Sequence, residues 1–194
     1  GGFRTLESLS HGYDGLRKIG VKVVHEFATA VDPVKKTVKT RSGRTVAYDR
    51  LVLSPGIQVK YDSIPGYTKE ISNLFPHAYE TNAMGKRQLR AAVDGMKDGG
   101  TFLMVMPGGA FRCPPGPYER ACQVAWYFKR AKPKSKVLVL DGNGDVTSTG
   151  PLFKKAWAEE YKGIVEYRGN HVLTDVDVAT RTAKFEVQDP VKAS

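Results

Sequence analysis

The sequence predicts an α/β protein with a parallel sheet at its centre. Two short, predominantly apolar runs, at 101–106 and 136–140, have the length and composition of strands that are buried on both faces. Each run is followed by a loop and then by apolar residues at helical spacing. A strand–helix–strand–helix–strand order with right-handed crossovers is half of a doubly wound nucleotide-binding domain, so we expect a three-layer, Rossmann-like domain over residues 79–194.

The N-terminal part of the chain has a different pattern. Apolar residues at helical spacing predict a first helix that ends at Gly20. Short apolar runs predict strands at 21–24 and 51–53, and two further runs, at 34–40 and 44–48, predict a hairpin around a Ser-Gly turn. The stripe of the first helix consists of Leu6, Leu9, Tyr13 and Leu16.

A long connection separates this part from the parallel sheet. Residues 60–78 contain two prolines and no steady period, so we expect irregular structure there and a domain boundary near Ala78. A helical stripe follows, which we expect to be capped by Asn82 and terminated by Gly99-Gly100.

The remaining elements follow from the same signals. Pro117 stands where the next helix is expected to begin, because proline is tolerated in the first helical turn. Apolar residues at 152–157 predict another helix, and residues 164–165 open a third strand. The segments 171–178 and 181–187 alternate like the two arms of a hairpin.

Composition excludes several classes of protein. The chain has 30 Lys and Arg against 20 Asp and Glu, a net charge of +10, but its densest basic cluster, within 129–136, lies where a helix ends. Helix capping and a solvated loop explain that cluster better than nucleic-acid binding, since no nucleic-acid-binding motif accompanies it. No apolar run reaches the length of a transmembrane helix, and the two cysteines lack metal-site spacing.

The loop after the first buried strand is unsuited to a dinucleotide. It contains Gly108-Gly109, but Pro114, Pro115 and Pro117 remove amide donors that would bind a pyrophosphate. Asp141 ends the next strand, where a ribose-binding acid would lie, and we favour a turn-forming role for it. The sequence thus predicts a nucleotide-domain scaffold whose cofactor loop serves another use.

Cys113 and Glu119 are the candidate reactive residues of that loop. Cys113 precedes a helix N-terminus and lies beside Arg112, and both features favour a thiolate. Glu119 lies in the first turn of the helix, where an acid also stabilises the helix dipole without any catalytic role. Cys122 lies on the helix in an apolar setting, so we interpret it as a packing residue.

Several segments carry a resemblance to a known family. They read FRCPPGPYER at 111–120, KPKSKV at 132–137, HGYDGLR at 11–17, YDRLVLSPG at 48–56 and NLFPH at 73–77. Together they closely resemble the flavoprotein subunit of flavocytochrome c sulfide dehydrogenase. The resemblance extends over nearly the whole chain and weakens after about Gly163.

The resemblance implies a fold like that of the pyridine nucleotide-disulfide oxidoreductases, with residues 1–78 in an FAD-binding domain and 79–194 in an NAD-like domain. It implies FAD as cofactor, sulfide as substrate, a cytochrome c subunit as partner and a periplasmic location. Cys113 matches one half of a redox-active disulfide beside the flavin, and Glu119 matches the active-site base. The positions that match strands near FAD are Ala28, Ser54, Pro55 and Gly56.

Other features of the family are expected outside these 194 residues. They are the glycine-rich FAD loop and a flavin-attaching cysteine upstream, and the partner cysteine of Cys113 beyond Ser194. We therefore expect the central part of a longer protein, unable to bind FAD firmly or turn over alone. Two alternatives stay open, a sulfide:quinone oxidoreductase and a non-catalytic basic module that docks an acidic or haem-bearing protein.

Overall fold

The computed structural model describes residues 4–5, 7–79, 83–110 and 112–194. They form two compact units, one comprising Thr5–Gln58 and the other Val59–Ser194 together with Arg4. The domain boundary expected near Ala78 concerns the division of the whole protein and stays a prediction.

The smaller unit is built on a three-stranded antiparallel sheet. Its strands, in spatial order, are β1 (Ala28–Asp32), β2 (Thr37–Thr40) and β3 (Thr45–Ala47). β2 and β3 form the expected hairpin, in which Val38 lies opposite Val46. A short 3-10 helix (Glu7–Leu9) and the helix α1 (Asp14–Lys18) precede the sheet.

Three sequence predictions for this unit are wrong. The first helix has only five residues, and Leu6 of its stripe lies outside the described residues. Residues 21–24 and 51–53 are not strands, whereas β1, which has a weaker apolar pattern, is one. A strand requires a pairing partner, and the runs at 21–24 and 51–53 pair with no strand of the described chain; Val52 is 89% exposed.

The larger unit contains the expected parallel sheet. Its strands, in spatial order, are β4 (Thr101–Met106), β5 (Lys136–Asp141) and β6 (Val165–Arg168). The helices are α2 (Ala83–Gly95), α3 (Gly116–Ala131) and α4 (Gly150–Glu159). An antiparallel sheet of β7 (Leu173–Asp177), β8 (Thr182–Phe185) and β9 (Val191–Lys192) follows.

Most predictions for residues 79–194 are confirmed. The parallel strands, the helices between them and the C-terminal hairpin all form where the apolar patterns indicate. β9 was not predicted, because two residues are too few to carry a pattern. The expected helix cap, Asn82, lies outside the described residues.

β5 joins the three layers of this unit because both of its faces are buried. Val137 and Val139 belong to a core formed with side chains of α3 and with Trp157 of α4. Leu138 and Leu140 point to the opposite face and pack against side chains of β8. The layers are therefore helices, parallel sheet and antiparallel sheet, in agreement with the predicted fold class.

The connection over residues 60–78 is irregular, as expected. It contains two short 3-10 helices, Tyr61–Ser63 and Ile71–Asn73. In the part of the chain that the structure describes, we find no helix with both the length and the apolar character needed to cross a membrane.

Lys132 is a buried cation that joins two helices. It immediately follows α3 and is only 9% exposed. Its ammonium group donates hydrogen bonds to the carbonyl oxygens of Val93 (2.7 Å) and Asp94 (2.6 Å), and a third to that of Met96. Carbonyls at a helix C-terminus have no partner within the helix, so Lys132 supplies the C-terminal cap of α2. Lys132 is therefore a capping residue, as the sequence predicts for the basic cluster. It caps α2, however, and not α3, the helix that it follows.

We expect Lys132→Met to lower the free energy of unfolding by about 3 kcal/mol, because buried carbonyl groups lose a charged donor. Urea denaturation measures the change. Lys136→Met removes the same charge from an exposed position and should change stability little. Equal effects of the two substitutions would contradict a capping role.

Candidate active site

Cys113 lies in a tight turn directly before α3. The amide of Gly116 donates to the Cys113 carbonyl (2.9 Å), and the amide of Glu119 donates to the carbonyl of Pro115 (3.0 Å). Pro117 occupies the first turn of α3, as its sequence position indicates. The turn leaves the Cys113 side chain exposed at the positive end of the helix dipole, and its thiol is free.

Tyr79 packs against the Cys113 turn. Its hydroxyl donates to the Cys113 carbonyl oxygen at 3.3 Å. Burial raises the pKa of Tyr79 and outweighs the lowering effect of the Arg120 charge, so the hydroxyl stays protonated and remains a donor. Sequence reasoning missed Tyr79 because it lies 34 residues before Cys113 in an irregular segment without a motif.

Glu119 is exposed in the first turn of α3. Its carboxylate has no hydrogen-bond or ion-pair partner among the residues that the structure describes. Cys113 lies in the turn before α3 and Glu119 in the first turn of that helix, so both predicted residues belong to the start of α3. A carboxylate without a hydrogen-bond partner is able to accept a proton.

Cys122 is held in the packed side of the same helix. It is half-buried, its thiol is free, and the indole nitrogen of Trp157 donates to its Sγ at 3.3 Å. Burial raises the pKa of the Cys122 thiol, which disfavours the reactive thiolate. The structure therefore agrees with a packing role for Cys122.

The positions that the resemblance assigns to FAD belong to the smaller unit, whereas Cys113 belongs to the larger one. Ala28, Ser54, Pro55 and Gly56 are all exposed. Gly56 has a φ of +85°, and nothing lies within 4 Å of the place where a Cβ would be. An open backbone with positive φ allows a flat ring to approach closely, so these residues fit a cofactor held through main-chain contacts.

The carboxyl edge of the parallel sheet is closed by its own backbone. A Cβ on Gly108 would lie 3.3 Å from the carbonyl oxygen of Gly142, so the loops after β4 and β5 touch. The Gly109 amide donates to Asn143 Oδ1 at 3.0 Å, and the Asn143 amide nitrogen donates back to the Gly109 carbonyl at 3.3 Å. A dinucleotide would need both this crevice and these amides. The contacts shown engage the Gly109 amide within the protein, and the absence of dinucleotide binding stays a prediction.

Asp141 has a structural role at the same edge. It is fully buried and accepts hydrogen bonds from the hydroxyls of Tyr118 (2.8 Å) and Tyr167 (3.1 Å). The amide and side chain of Asn143 also donate to it, at 2.9 and 3.1 Å. Burial and the Asp141 charge raise the pKa of Tyr167, which keeps that hydroxyl protonated. A carboxylate engaged in this way is unavailable to a ribose.

Comparison with models of protein families shows the family to which this chain belongs. The family model for the central part of the flavoprotein chain of sulfide dehydrogenase (flavocytochrome c) matches residues 86–194, more than half of the chain. The chain belongs to this family. The match includes the Cys113 turn, α3 and the whole parallel sheet, and it confirms the resemblance that the sequence motifs carry.

The chain is also similar to individual proteins and solved structures. Mouse mitochondrial sulfide:quinone oxidoreductase is 25% identical over 182 residues, which cover 88% of this chain and 38% of that protein. The sulfide:quinone oxidoreductase structure from Aquifex aeolicus has a TM-score of 0.69 at 20% identity, covering 99% of this chain and 46% of that one. A putidaredoxin reductase–putidaredoxin complex has a TM-score of 0.68 at 19% identity, covering 99% of this chain and 44% of that one. The chain thus spans less than half the length of these proteins, and the likeness to the two solved structures shows a shared fold.

We expect Tyr118→Phe to lower the free energy of unfolding by about 2 kcal/mol. The substitution removes a donor to buried Asp141 and an acceptor for the Thr147 amide, which donates to the Tyr118 hydroxyl at 3.1 Å. Tyr161→Phe is the matched control, because the Tyr161 hydroxyl has no hydrogen bond to a described residue. Urea denaturation of both variants checks this, and similar losses would contradict an anchoring role for Asp141.

Proposed function

We propose that this chain is the central part of an FAD-dependent oxidoreductase that oxidises sulfide at Cys113. The observation that carries the proposal is the exposed, free thiol at the N-terminus of α3, with the unpartnered Glu119 carboxylate in the first turn of the same helix. The family match over residues 86–194 supports the same activity. Because the chain spans less than half of its relatives, the activity belongs to the complete protein.

FAD would be held in part by Ala28, Ser54, Pro55 and Gly56, whose backbones are exposed. When bound, it supplies a two-electron acceptor for the reduced sulfur atoms. Gly56 contributes by conformation, since its positive φ and the open space beside it leave the main chain accessible.

Cys113 would react as half of a disulfide with a second cysteine of the complete protein. Attack by sulfide forms a new sulfur–sulfur bond to one cysteine and breaks the bond between the two cysteines, and the electron pair leaves on the other sulfur. Glu119 accepts the proton that the hydrosulfide releases. The Tyr79 hydroxyl, kept protonated by burial, holds the Cys113 carbonyl and with it the geometry of the turn.

The electron acceptor would be a cytochrome c subunit, with the protein in the periplasm. The family description, which names a flavocytochrome c, supports this acceptor. A membrane quinone is the second candidate, supported by the sulfide:quinone oxidoreductases among the relatives of this chain. Sulfide-dependent reduction of cytochrome c, compared with that of a soluble quinone, separates the two.

In the complete flavoprotein, we expect Cys113→Ser to abolish sulfide-dependent bleaching of the flavin absorbance, because serine forms no disulfide. Cys122→Ser should retain the activity, since Cys122 is a packing residue. Stopped-flow absorbance of both variants provides the measurement. Undiminished bleaching in Cys113→Ser would overturn the proposed function and favour a module without thiol chemistry.

We expect Glu119→Gln to slow the same reaction by about a hundredfold, because the amide does not accept the proton. The pH–rate profile should change as well, because the variant lacks the carboxylate that accepts the proton. Glu159→Gln, an exposed acid on α4, is the control and should leave both rate and profile unchanged. A normal profile in Glu119→Gln would leave only the helix-dipole role for this residue.

A further inference from the structure

Arg120 lies next to the contact between Cys113 and the start of α3. It follows Gly116 by one helical turn, so the two residues share a face of the helix. A Cβ on Gly116 would be 3.2 Å from the Cys113 Sγ and closer still to the Tyr79 hydroxyl. Side chains in a helix lean toward its N-terminus, which directs the Arg120 guanidinium toward this contact.

One nitrogen of the Arg120 guanidinium is a hydrogen-bond donor without an acceptor in the described part of the chain. The guanidinium carbon lies 5.6 Å from the centre of the Tyr79 ring, within the range of a cation–π interaction. The Nη1 atom is buried and has no hydrogen-bond partner among the residues that the structure describes. Stacking on Tyr79 explains where the cation lies but gives Nη1 no acceptor. An unsatisfied buried donor costs about 1–3 kcal/mol, so an acceptor that binds here is strongly favoured.

The surrounding charges favour an anionic acceptor. Burial raises the pKa of Tyr79, and of the nearby charges that of Arg120 lowers it while that of Glu119 raises it. Arg120 and Glu119 therefore both lie within electrostatic reach of the Tyr79 hydroxyl. An anion that approaches Cys113 is repelled by the Glu119 carboxylate, and Arg120 offsets this repulsion together with Arg112, the sequence neighbour of Cys113.

We propose that Arg120 is a positioning residue that binds a sulfur anion, with hydrosulfide as the simplest example, beside Cys113. Guanidinium donors suit anions because they combine a permanent charge with several N–H groups in one plane. The nature of the anion rests on the proposed function. The bonds that form and break remain those at Cys113, and Arg120 itself undergoes no covalent change.

The first test compares two alkylating reagents on the reduced protein. Iodoacetate and iodoacetamide both form a carbon–sulfur bond to Cys113 and release iodide, but only iodoacetate is an anion. The ratio of their rates, read by mass spectrometry of the Cys113 peptide, cancels changes in thiolate population or exposure. We expect Arg120→Gln to lower this ratio about fivefold, as the loss of a nearby unit charge predicts.

Two variants control this test. Arg130→Gln removes the same charge near the other end of α3, where the guanidinium stacks on Trp126 at 3.8 Å, and should leave the ratio unchanged. Arg120→Lys keeps the charge and should retain most of the anion preference. An unchanged ratio in Arg120→Gln would overturn the assignment, whatever the outcome of the activity assays, because alkylation requires neither flavin nor turnover.

The second test identifies the anion as a sulfur substrate. In the complete flavoprotein, Arg120→Gln should raise the KM for sulfide about fivefold and leave kcat nearly unchanged, with partial recovery in Arg120→Lys. A purely structural role for Arg120 would instead lower kcat and stability together. If Arg120→Gln lowers the alkylation ratio but keeps the parental KM, the anion bound by Arg120 is not the sulfide substrate. The role of Cys113 in sulfide oxidation is tested separately, by Cys113→Ser.

Discussion

The buried carboxylate of Asp141 fixes the part of the molecule on which the proposed chemistry depends. It ends β5, the strand that is covered on both faces, and it binds the hydroxyl of Tyr118 in the first turn of α3. Glu119 is the next residue, and Cys113 lies in the turn just before that helix. A buried charge requires hydrogen-bond partners, so Asp141 sets the position of the Cys113 turn relative to the sheet.

The opposite end of α3 is held by a charge of the other sign. Lys132, the residue after α3, is buried against the C-terminus of α2. α3 is thus anchored at its start to the sheet and at its end to a second helix, each time by a buried ion with several hydrogen bonds. Such anchoring limits the conformations open to the side chains at the helix N-terminus, which is the preorganisation that a reactive thiol requires.

Burial explains which features the sequence could predict. β4, β5 and α3 could be predicted because side chains of all three pack in the core. Core positions require apolar residues, and these residues produce the periodic pattern visible in the sequence. The runs at 21–24 and 51–53 were misassigned, because pairing partners decide strands and no apolar pattern reveals them. The local chemistry of the sequence predicts Cys113 and Glu119 as candidate residues, whereas Tyr79 reaches the Cys113 turn only through the tertiary fold. The role of Arg120 likewise depends on an unpaired atom that no motif encodes.

The contact between Gly108 and Gly142 joins the loops that follow β4 and β5. In doubly wound domains these loops flank the crevice at the carboxyl ends of the strands. Here Asn143 engages both main-chain groups of Gly109, accepting from its amide and donating to its carbonyl. The two loops therefore form one linked element, so that a substitution in either loop disturbs the other.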